Sequence, residues 1–361
     1  MTEARAVTVV IAVHQLNRPV RRAAESALLA GLSGQVKVLV MCHGIPSAEV
    51  QALLADLPQE DLEIIEFADG IPSPAGPKNA GLDRADTCYV AILDSDDYLE
   101  PGALAAWIAQ ADETGADAVI APIRMQSGVL DLTPRLRAVR RGRLDPVRDR
   151  LAYRTVPFGL MRRSSVEKLG LRLTPGVRTG EDIDFSLHLW FGADRLEMGR
   201  PGPRYIMGED AVERVTSHVL PLAEEFRALG QVLQAGWLKD LRRGARQAVA
   251  VKLLRIHVLG ALLRRGADFP WVEPDRAALA AAVEEIMAFA PGAERPLSVA
   301  ERRLVRLARS RHLDREHFAA ALRGWPGGYL RTILTPRPWD NLRVESNLRY
   351  YVGRKVAALI G

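Results

Sequence analysis

Three aspartates stand within four residues of the chain, at Asp94, Asp96 and Asp97. They follow the apolar run 89–93, which predicts a buried strand, and ligand sites in parallel sheets lie at the carboxyl ends of strands. Carboxylates at this density repel each other unless a cation or hydrogen bonds offset their charge. Such oxygen ligands suit Mg²⁺ or Mn²⁺ held together with substrate phosphates. The alternative is a polar turn in which Asp97 caps the following helix.

A second acidic pair, Glu181 and Asp182, stands where a helix is predicted to begin. Carboxylates in the first turn of a helix are stabilised by the helix dipole and by unpaired amides. Thr179, three residues before Asp182, also completes a pattern similar to a capping box. A helix cap is therefore the alternative to a chemical role, although one side chain can serve both purposes.

The first 120 residues alternate between patterns typical of strands and of helices, and these elements must position the acidic residues. Continuous aliphatic or β-branched runs predict strands at 7–13, 36–41, 62–67, 89–93 and 117–121. Helices are predicted at 18–30, 48–57 with Ser47 as N-cap, 78–85 and 102–114. A strand at 156–161, a helix at 164–169 and a helix from 182 follow. Strands that alternate with helices indicate βαβ units and a mainly parallel sheet, which is an α/β fold.

From about residue 221 the pattern is almost wholly helical, so we expect one domain at 1–220 and a helical domain at 221–361. The first part carries a net charge of −5 and the second +10. Many basic residues of the second part lie on two predicted helices. One helix carries Arg242, Arg243, Arg246, Lys252, Arg255, Arg264 and Arg265, and the other carries Arg302, Arg303, Arg306 and Arg309. They predict a basic surface for an anionic partner, whereas the alternative is arginines that simply cover solvated helix faces.

The composition excludes several classes of protein. The 361 residues are 48% hydrophobic and 26% charged, which rules out a disordered or collagenous chain. Two cysteines exclude a disulfide framework and a cysteine-based zinc site, and they fit a reducing compartment. No secretory leader and no membrane-spanning segment is expected, so a cytoplasmic location is predicted, with peripheral contact at the inner face of the membrane as an extension.

Four segments, taken together, resemble the family 2 glycosyltransferases: VTVVIAVHQLNRPVRRAAESALLA (7–30), PKNAGLDRADTCYVAILDSDDYLEPGAL (77–104), FGLMRRSSVEKLGLRL (158–173) and GEDIDF (180–185). Their order and spacing match that family over about residues 7–220. The resemblance implies the GT-A fold, a Rossmann-like α/β domain with a mainly parallel sheet and flanking helices, here followed by a C-terminal helical domain. It also implies a metal-dependent, inverting transfer of a sugar from a nucleoside-diphosphate sugar, UDP-linked, to a hydroxyl of a glycan or cell-envelope polysaccharide precursor.

The resemblance assigns the donor site residue by residue. The nucleotide pocket would be lined by the end of the first strand, at Ala12, Val13 and His14. Lys78 and Asn79 would lie near the nucleotide, and Asp94 with Ser95 near the ribose or the sugar. A surface lysine at a helix start is the alternative for Lys78.

The resemblance also implies the reacting groups. Asp96 would bind the Mn²⁺ or Mg²⁺ ion that bridges the diphosphate, and His218 would be a late ligand to the metal or diphosphate. Asp182 would be the catalytic base, with Glu181 holding its position or the acceptor. For His218 the alternative is a hydrogen-bonded or surface histidine.

One position departs from the family. The family usually has one or two aspartates after the second strand, whereas this chain has Met41, Cys42, His43 and Gly44 there. His43 can hydrogen-bond a base, and Asp69 after the third strand can substitute for the missing aspartate. A buried, unreactive thiol is the simplest role for Cys42. The departure leaves the identity of the nucleotide open.

These features also predict the binding partners and define the alternative functions. The helical domain is expected to bind a lipid-linked or other anionic glycan acceptor, and an oligomer through it is a further option. Nucleic acid is not expected, because no recognition motif is present. The rival functions are a non-catalytic GT-A protein that binds glycans or acts as a scaffold, and a sugar nucleotidyltransferase. The latter is disfavoured because residues 13–19 lack a glycine-rich phosphate loop.

Overall fold

The computed structural model describes residues 5–137, 143–210, 219–310, 313–322 and 329–360. The chain divides into two compact units, residues 1–132 with 155–218 and residues 133–154 with 219–361. The segment 133–154 thus groups with the C-terminal part of the chain, although in sequence it interrupts the first unit. The division into domains 1–220 and 221–361 stays a prediction, because compactness alone does not establish independent domains.

The first unit is built on a seven-stranded sheet. Its strands and those of a smaller sheet are β1 (Val7–Val13), β2 (Val36–His43), β3 (Leu62–Phe67), β4 (Tyr89–Asp94), β5 (Tyr98–Leu99), β6 (Ala118–Ile120), β7 (Ile123–Met125), β8 (Gly159–Arg162), β9 (Leu196–Met198) and β10 (Tyr205–Met207). The order in the large sheet is β3-β2-β1-β4-β8-β6-β9. β8 runs antiparallel to its two neighbours, and the remaining pairs are parallel. The predicted α/β class with a mainly parallel sheet is confirmed.

Six helices flank this sheet in sequence: α1 (Val20–Ala30), α2 (Ser47–Leu53), α3 (Ala75–Arg84), α4 (Ala103–Thr114), α5 (Arg163–Lys168) and α6 (Asp182–Gly192). A short 3₁₀ turn, Gln59–Asp61, precedes β3. β1 is a central strand and almost wholly buried, as its continuous apolar run predicts. In the parallel register Ala12 of β1 lies opposite Asp94 of β4, so the loops that follow these two strands emerge side by side.

The smaller sheet was missed by the sequence prediction. It has the order β5-β10-β7, and none of its strands exceeds three residues. Such short strands carry no readable period of two. β5 begins one residue after Asp97, so this sheet holds the loop that contains the three aspartates.

Two helix-start predictions are wrong in detail. Ser47 is the first residue of α2 and not its cap, because its amide and its hydroxyl both donate to Glu66, at 2.8 Å each. At α6 the capping box of Thr179 is not formed, since the residue before the helix is Glu181 and no side chain caps it. In the first case a side chain on a neighbouring strand competes with the local cap.

The second unit is helical. Its α-helices are α7 (Leu222–Glu225), α8 (Arg227–Gln234), α9 (Gly236–Lys239), α10 (Arg243–Lys252), α11 (Gly260–Arg265), α12 (Glu273–Phe289), α13 (Val299–Ser310), α14 (Arg315–Leu322), α15 (Tyr329–Ile333) and α16 (Asn347–Ile360). A π-helical turn, Leu253–Leu259, joins α10 to α11, and 3₁₀ turns occur at Leu151–Tyr153 and Pro338–Leu342. The predicted helix 222–237 is three short helices.

The predicted basic surface is wrong for several of its members. Lys252 is fully buried, and Arg265 is buried beside Glu225 at 2.8 Å. Arg255 is buried against Glu301, at 2.8 Å, and Tyr153, at 2.7 Å. Arg255 and Arg265 lie inside the unit because carboxylates and, for Arg255, a phenol partner them, which offsets the cost of removing a charge from water. The Lys252 ammonium lies 2.7 Å from Nε2 of His257.

Other basic residues remain at the surface of this unit. Arg242 and Arg243 are exposed at the start of α10, and Arg306 and Arg309 are exposed on α13. Arg309 forms an ion pair with Glu284, so its charge is partly offset. Among the residues that the structure describes, no helix combines the length and the hydrophobicity that a membrane span needs.

Candidate active site

The loop after β4 brings the three aspartates into different environments. Asp97 is buried, and it accepts hydrogen bonds from the Tyr205 hydroxyl at 2.6 Å and the Gly208 amide at 2.8 Å. Burial, with the charges of Asp94 and Asp96, raises the pKa of Asp97 to about 7. Asp97 therefore anchors the loop to β10, and the alternative in which it caps the next helix is wrong, because α4 begins only at Ala103.

The same anchor requires a glycine. A Cβ atom at Gly208 would collide with the carbonyl oxygen of Asp96. The ring of Tyr205 stacks on Phe158 with centroids 4.1 Å apart, and its hydroxyl accepts from the Asp94 amide at 3.2 Å. Tyr205 thus fixes both ends of the aspartate loop from the small sheet.

Lys78 on α3 connects the two acidic groups predicted from the sequence. Its ammonium lies 2.7 Å from Asp94 Oδ1, and its side chain is buried. Burial by itself lowers the pKa of Lys78, but the charges of Asp94, Glu181 and Asp182 outweigh it and raise that pKa. The structure therefore brings together the end of β4 and the start of α6 around one lysine, and the surface alternative for Lys78 is wrong.

Glu181 and Asp182 stand at the first turn of α6. Burial raises the pKa of Glu181, while the charge of Lys78 opposes this shift. A carboxyl whose pKa is raised in this way keeps its proton more readily, so it can donate a hydrogen bond. Asp182 is the second carboxylate of the pair, and the charges of Glu181 and Asp182 both raise the pKa of Lys78.

Asp96 has a cationic partner that the sequence reading missed. Arg18, in the turn between β1 and α1, places Nη1 2.7 Å from Asp96 Oδ2. Arg22 on α1 donates to the Asp96 carbonyl oxygen at 2.6 Å and forms an ion pair with Asp210. The parallel register of β1 and β4 is the signal that could have found this pair, since it sets the turn after β1 beside the loop after β4.

A second group of residues lies at the ends of β2 and β3. His43 Nε2 lies 3.0 Å from Asp69 Oδ1, and the ring of Phe67 lies 5.7 Å from the ring of His43. The Ile71 amide also donates to Asp69, at 2.9 Å. His14 is exposed at the end of β1, and desolvation followed by the charges of Arg18 and His43 lowers its pKa. His14 is therefore close enough to Arg18, His43 and Asp96 for their charges to act on its pKa.

The remaining predicted donor residues are placed as follows. Ala12 lies at the end of β1 beside Asp94, and Ser95 is buried in the aspartate loop. The Val13 side chain belongs to the hydrophobic core, so only its backbone is available at the strand end. Asn79 uses both ends of its amide on Leu173, donating to the carbonyl and accepting from the amide at 2.9 Å each. Asn79 thus ties α3 to the segment that leads to α6.

The predicted metal ligands give an incomplete set by themselves. In the described part of the chain, no group of three or more His, Cys, Asp or Glu side chains has a geometry that holds a metal ion. His218 lies outside the described residues. Asp96 supplies carboxylate oxygen, the ligand that Mg²⁺ and Mn²⁺ prefer, and such ions are commonly held by one or two carboxylates plus substrate phosphates. The residues therefore fit a metal that arrives with a diphosphate.

Comparison with known proteins gives a consistent picture for this unit. Residues 8–170 match the model of the family described as glycosyl transferase family 2. A succinoglycan biosynthesis protein, ExoO of Rhizobium meliloti, is 34% identical over 115 residues, which are 32% of each protein. A poly(ribitol-phosphate) beta-glucosyltransferase of Bacillus spizizenii is 20% identical over 210 residues, 58% of this chain and 32% of that protein. The chain thus matches about a third of the length of these curated relatives.

Solved structures resemble the chain over most of its length. The crystal structure of S. aureus TarS residues 1–349 superposes with a TM-score of 0.70 at 15% identity, covering 90% of this chain and 92% of that one. The same protein in complex with UDP-GlcNAc superposes with a TM-score of 0.71 at 16% identity and the same coverage. At this identity the likeness establishes the fold, and the fold agrees with the GT-A expectation.

Proposed function

We propose that this chain transfers a sugar from a UDP-linked donor to a hydroxyl group of a glycan or cell-envelope polysaccharide precursor, because residues 8–170 match the model of glycosyl transferase family 2. The observation that carries the proposal is the position of Lys78, buried 2.7 Å from Asp94 and within the electrostatic reach of Glu181 and Asp182. Lys78 thereby links the carboxylate at the end of β4, which we assign to the donor, with the acidic pair at the start of α6.

The donor end of the reaction uses residues at the ends of β1, β2, β3 and β4 and in the loops that follow them. His43 and Asp69 offer a hydrogen-bonding pair beside the Phe67 ring, a combination suited to the polar edge and the flat face of a base. The choice of UDP is supported by the S. aureus neighbour that was crystallised with UDP-GlcNAc. The loop after β4 would hold the sugar end through Asp94.

The chemical step is an in-line displacement at the anomeric carbon, with inversion. Asp182 accepts the proton of the acceptor hydroxyl, which is otherwise a poor nucleophile. Glu181, whose pKa is raised, holds the acceptor by donating a hydrogen bond. Lys78 keeps Asp94 and the acidic pair from repelling each other, so that they share one site. A bound Mn²⁺ or Mg²⁺ ion at Asp96 would offset the charge that develops on the leaving diphosphate.

The acceptor class is proposed from the relatives. Both curated relatives are named for polymers, succinoglycan and poly(ribitol-phosphate), and one is named as a glucosyltransferase. A repeating glycan or polyol-phosphate chain, rather than a small metabolite, is therefore the acceptor that we propose. The exposed arginines of α10 are suited to an anionic polymer of this kind.

The test compares two carboxylates on one helix. Asp182→Asn should lower the rate of sugar transfer at least about a hundredfold while the dissociation constant of UDP in the presence of Mn²⁺ stays within about twofold. Asp184→Asn removes the same charge from the same first turn of α6 and should leave the rate nearly unchanged. Equal rates in Asp182→Asn and the wild type would remove Asp182 as base. UDP binding without hydrolysis or transfer from any UDP-sugar would favour the non-catalytic alternative.

A further inference from the structure

Arg18 occupies the carboxylate that the proposed function assigns to the metal. The guanidinium Nη1 lies 2.7 Å from Asp96 Oδ2, and the two side chains are only 10% and 16% exposed. Both charges have therefore lost most of their water and depend on each other. No other side chain that the structure describes forms an ion pair with Asp96.

Part of the Arg18 guanidinium lacks a partner. Its Nε is buried and makes no hydrogen bond to any group that the structure describes. A guanidinium presents Nε and one Nη as a fork that matches two oxygens of a phosphate. The ion-paired Nη and the buried Nε without a protein partner leave one edge of this guanidinium able to bind an anion beside Asp96.

The ion pair is not needed to hold the aspartate loop. Arg22 already fixes the Asp96 carbonyl oxygen, and Asp97 is bound by Tyr205 and Gly208. Removing the Arg18 charge would leave these contacts in place. The pair therefore acts mainly on the charge of Asp96.

A divalent cation and Arg18 compete for this carboxylate. Two positive groups within a few ångströms of each other repel strongly where water is largely excluded. A diphosphate changes the balance, because it attracts both cations at once. Metal binding at Asp96 should then be weak without nucleotide and strong with it.

We propose that Arg18 is the resident counter-ion of Asp96 in the donor-free protein and that it passes to the diphosphate of the donor when a metal–nucleotide complex binds. This inference rests on the proposed function and names a donor-binding residue for it. Arg18 makes metal binding conditional on the nucleotide, so the free protein does not hold a divalent cation tightly.

The experiment measures binding and not turnover. Free Mn²⁺ is followed by its electron paramagnetic resonance signal during titration of the protein, first without nucleotide and then with UDP. In Arg18→Met we expect Mn²⁺ without nucleotide to bind about tenfold tighter or more, because the competing charge is gone. With saturating Mn²⁺ we expect UDP to bind about tenfold to a hundredfold weaker, because a charge-assisted phosphate contact is lost.

Two further variants complete the design. Arg21→Met removes a neighbouring arginine that pairs with Asp56 at the surface, and it should change neither affinity. Arg18→Lys keeps the charge without the fork, so Mn²⁺ binding should stay as weak as in the wild type while UDP binding falls; it also carries the test if Arg18→Met does not fold. Unchanged affinities for Mn²⁺ and UDP in Arg18→Met and Arg18→Lys would overturn the inference alone. Failure of the wild type to bind UDP with Mn²⁺ would overturn the proposed function as well.

Discussion

Replacing Lys78 with methionine removes the cation that the acidic residues of the site share. The ammonium lies 2.7 Å from Asp94, with side-chain exposures of 9% and 35%. Removing one partner of a buried ion pair costs about 3–5 kcal/mol, whereas an exposed pair contributes about 0–1 kcal/mol. Because water can rehydrate the partly exposed Asp94, we expect the free energy of unfolding to fall by about 2–3 kcal/mol.

The assay is urea unfolding followed by circular dichroism, with a surface lysine as control. Lys168 pairs with Asp194 at 3.0 Å, but the two side chains are 68% and 81% exposed, so Lys168→Met should leave the urea midpoint nearly unchanged. In the double variant with Asp94→Asn, no unpaired carboxylate remains at that position, and part of the lost stability should return. Equal midpoints for Lys78→Met and Lys168→Met, or a double variant with additive losses, would refute the reasoning.

Three further predictions concern stability. Glu181→Gln should become more stable relative to the wild type as pH rises from about 4.5 to 8. A carboxyl whose folded pKa is raised destabilises the fold once the same group in the unfolded chain has lost its proton. If the urea midpoints of the variant and the wild type change in parallel with pH, this prediction is contradicted. Arg255→Met leaves the buried Glu301 uncompensated and should cost about 3–5 kcal/mol in urea unfolding, far more than Arg309→Met at the surface. Gly159→Ala should lower the free energy of unfolding by at least about 2 kcal/mol, because φ is 137° and the new Cβ collides with the Val119 carbonyl. Gly34→Ala, at φ 74° in open space, should lower it by about 1 kcal/mol in the same measurement.

The central strands were predictable because their residues need only a buried, extended environment. β1 and β3 have the predicted bounds, and β2 and β4 extend the predicted runs to His43 and Asp94. The two- and three-residue strands β5, β7, β9 and β10 were not predictable, since their pairing depends on partners far along the chain. Helical spacing also could not separate solvated from buried arginines, as Arg255 demonstrates, because the deciding carboxylate is 46 residues away.

The placement of the acidic side chains was predictable from residue type at a strand end and at a helix start. The roles of Asp94 and of the Glu181–Asp182 pair stay predictions, and the structure adds that Lys78 pairs with Asp94 and lies within reach of the charges of both other acids. The different environments of the three aspartates could not be predicted, because Asp97 is bound by a tyrosine on β10 and sequence patterns do not place that tyrosine beside it. Arg18 was missed for a similar reason. A single arginine before Pro19 carries no local signal, and its ion pair with Asp96 follows from the register of β1 and β4.

The interrupted first unit has a consequence for the order of synthesis. Arg150 is buried, has a left-handed backbone with φ 51°, and donates to the carbonyls of Val344 and Ser346, which follow it by 194 and 196 residues. At ribosomal speeds of about 5–20 residues per second, these partners appear roughly 10–40 seconds after Arg150. Until then Arg150 lacks these two acceptors, and it stands in an arginine-rich insertion within a unit that is otherwise nearly complete. A nascent chain stalled near residue 220 should therefore be captured by chaperones through this segment, and a protein shortened at that point would lack the partners of Arg150.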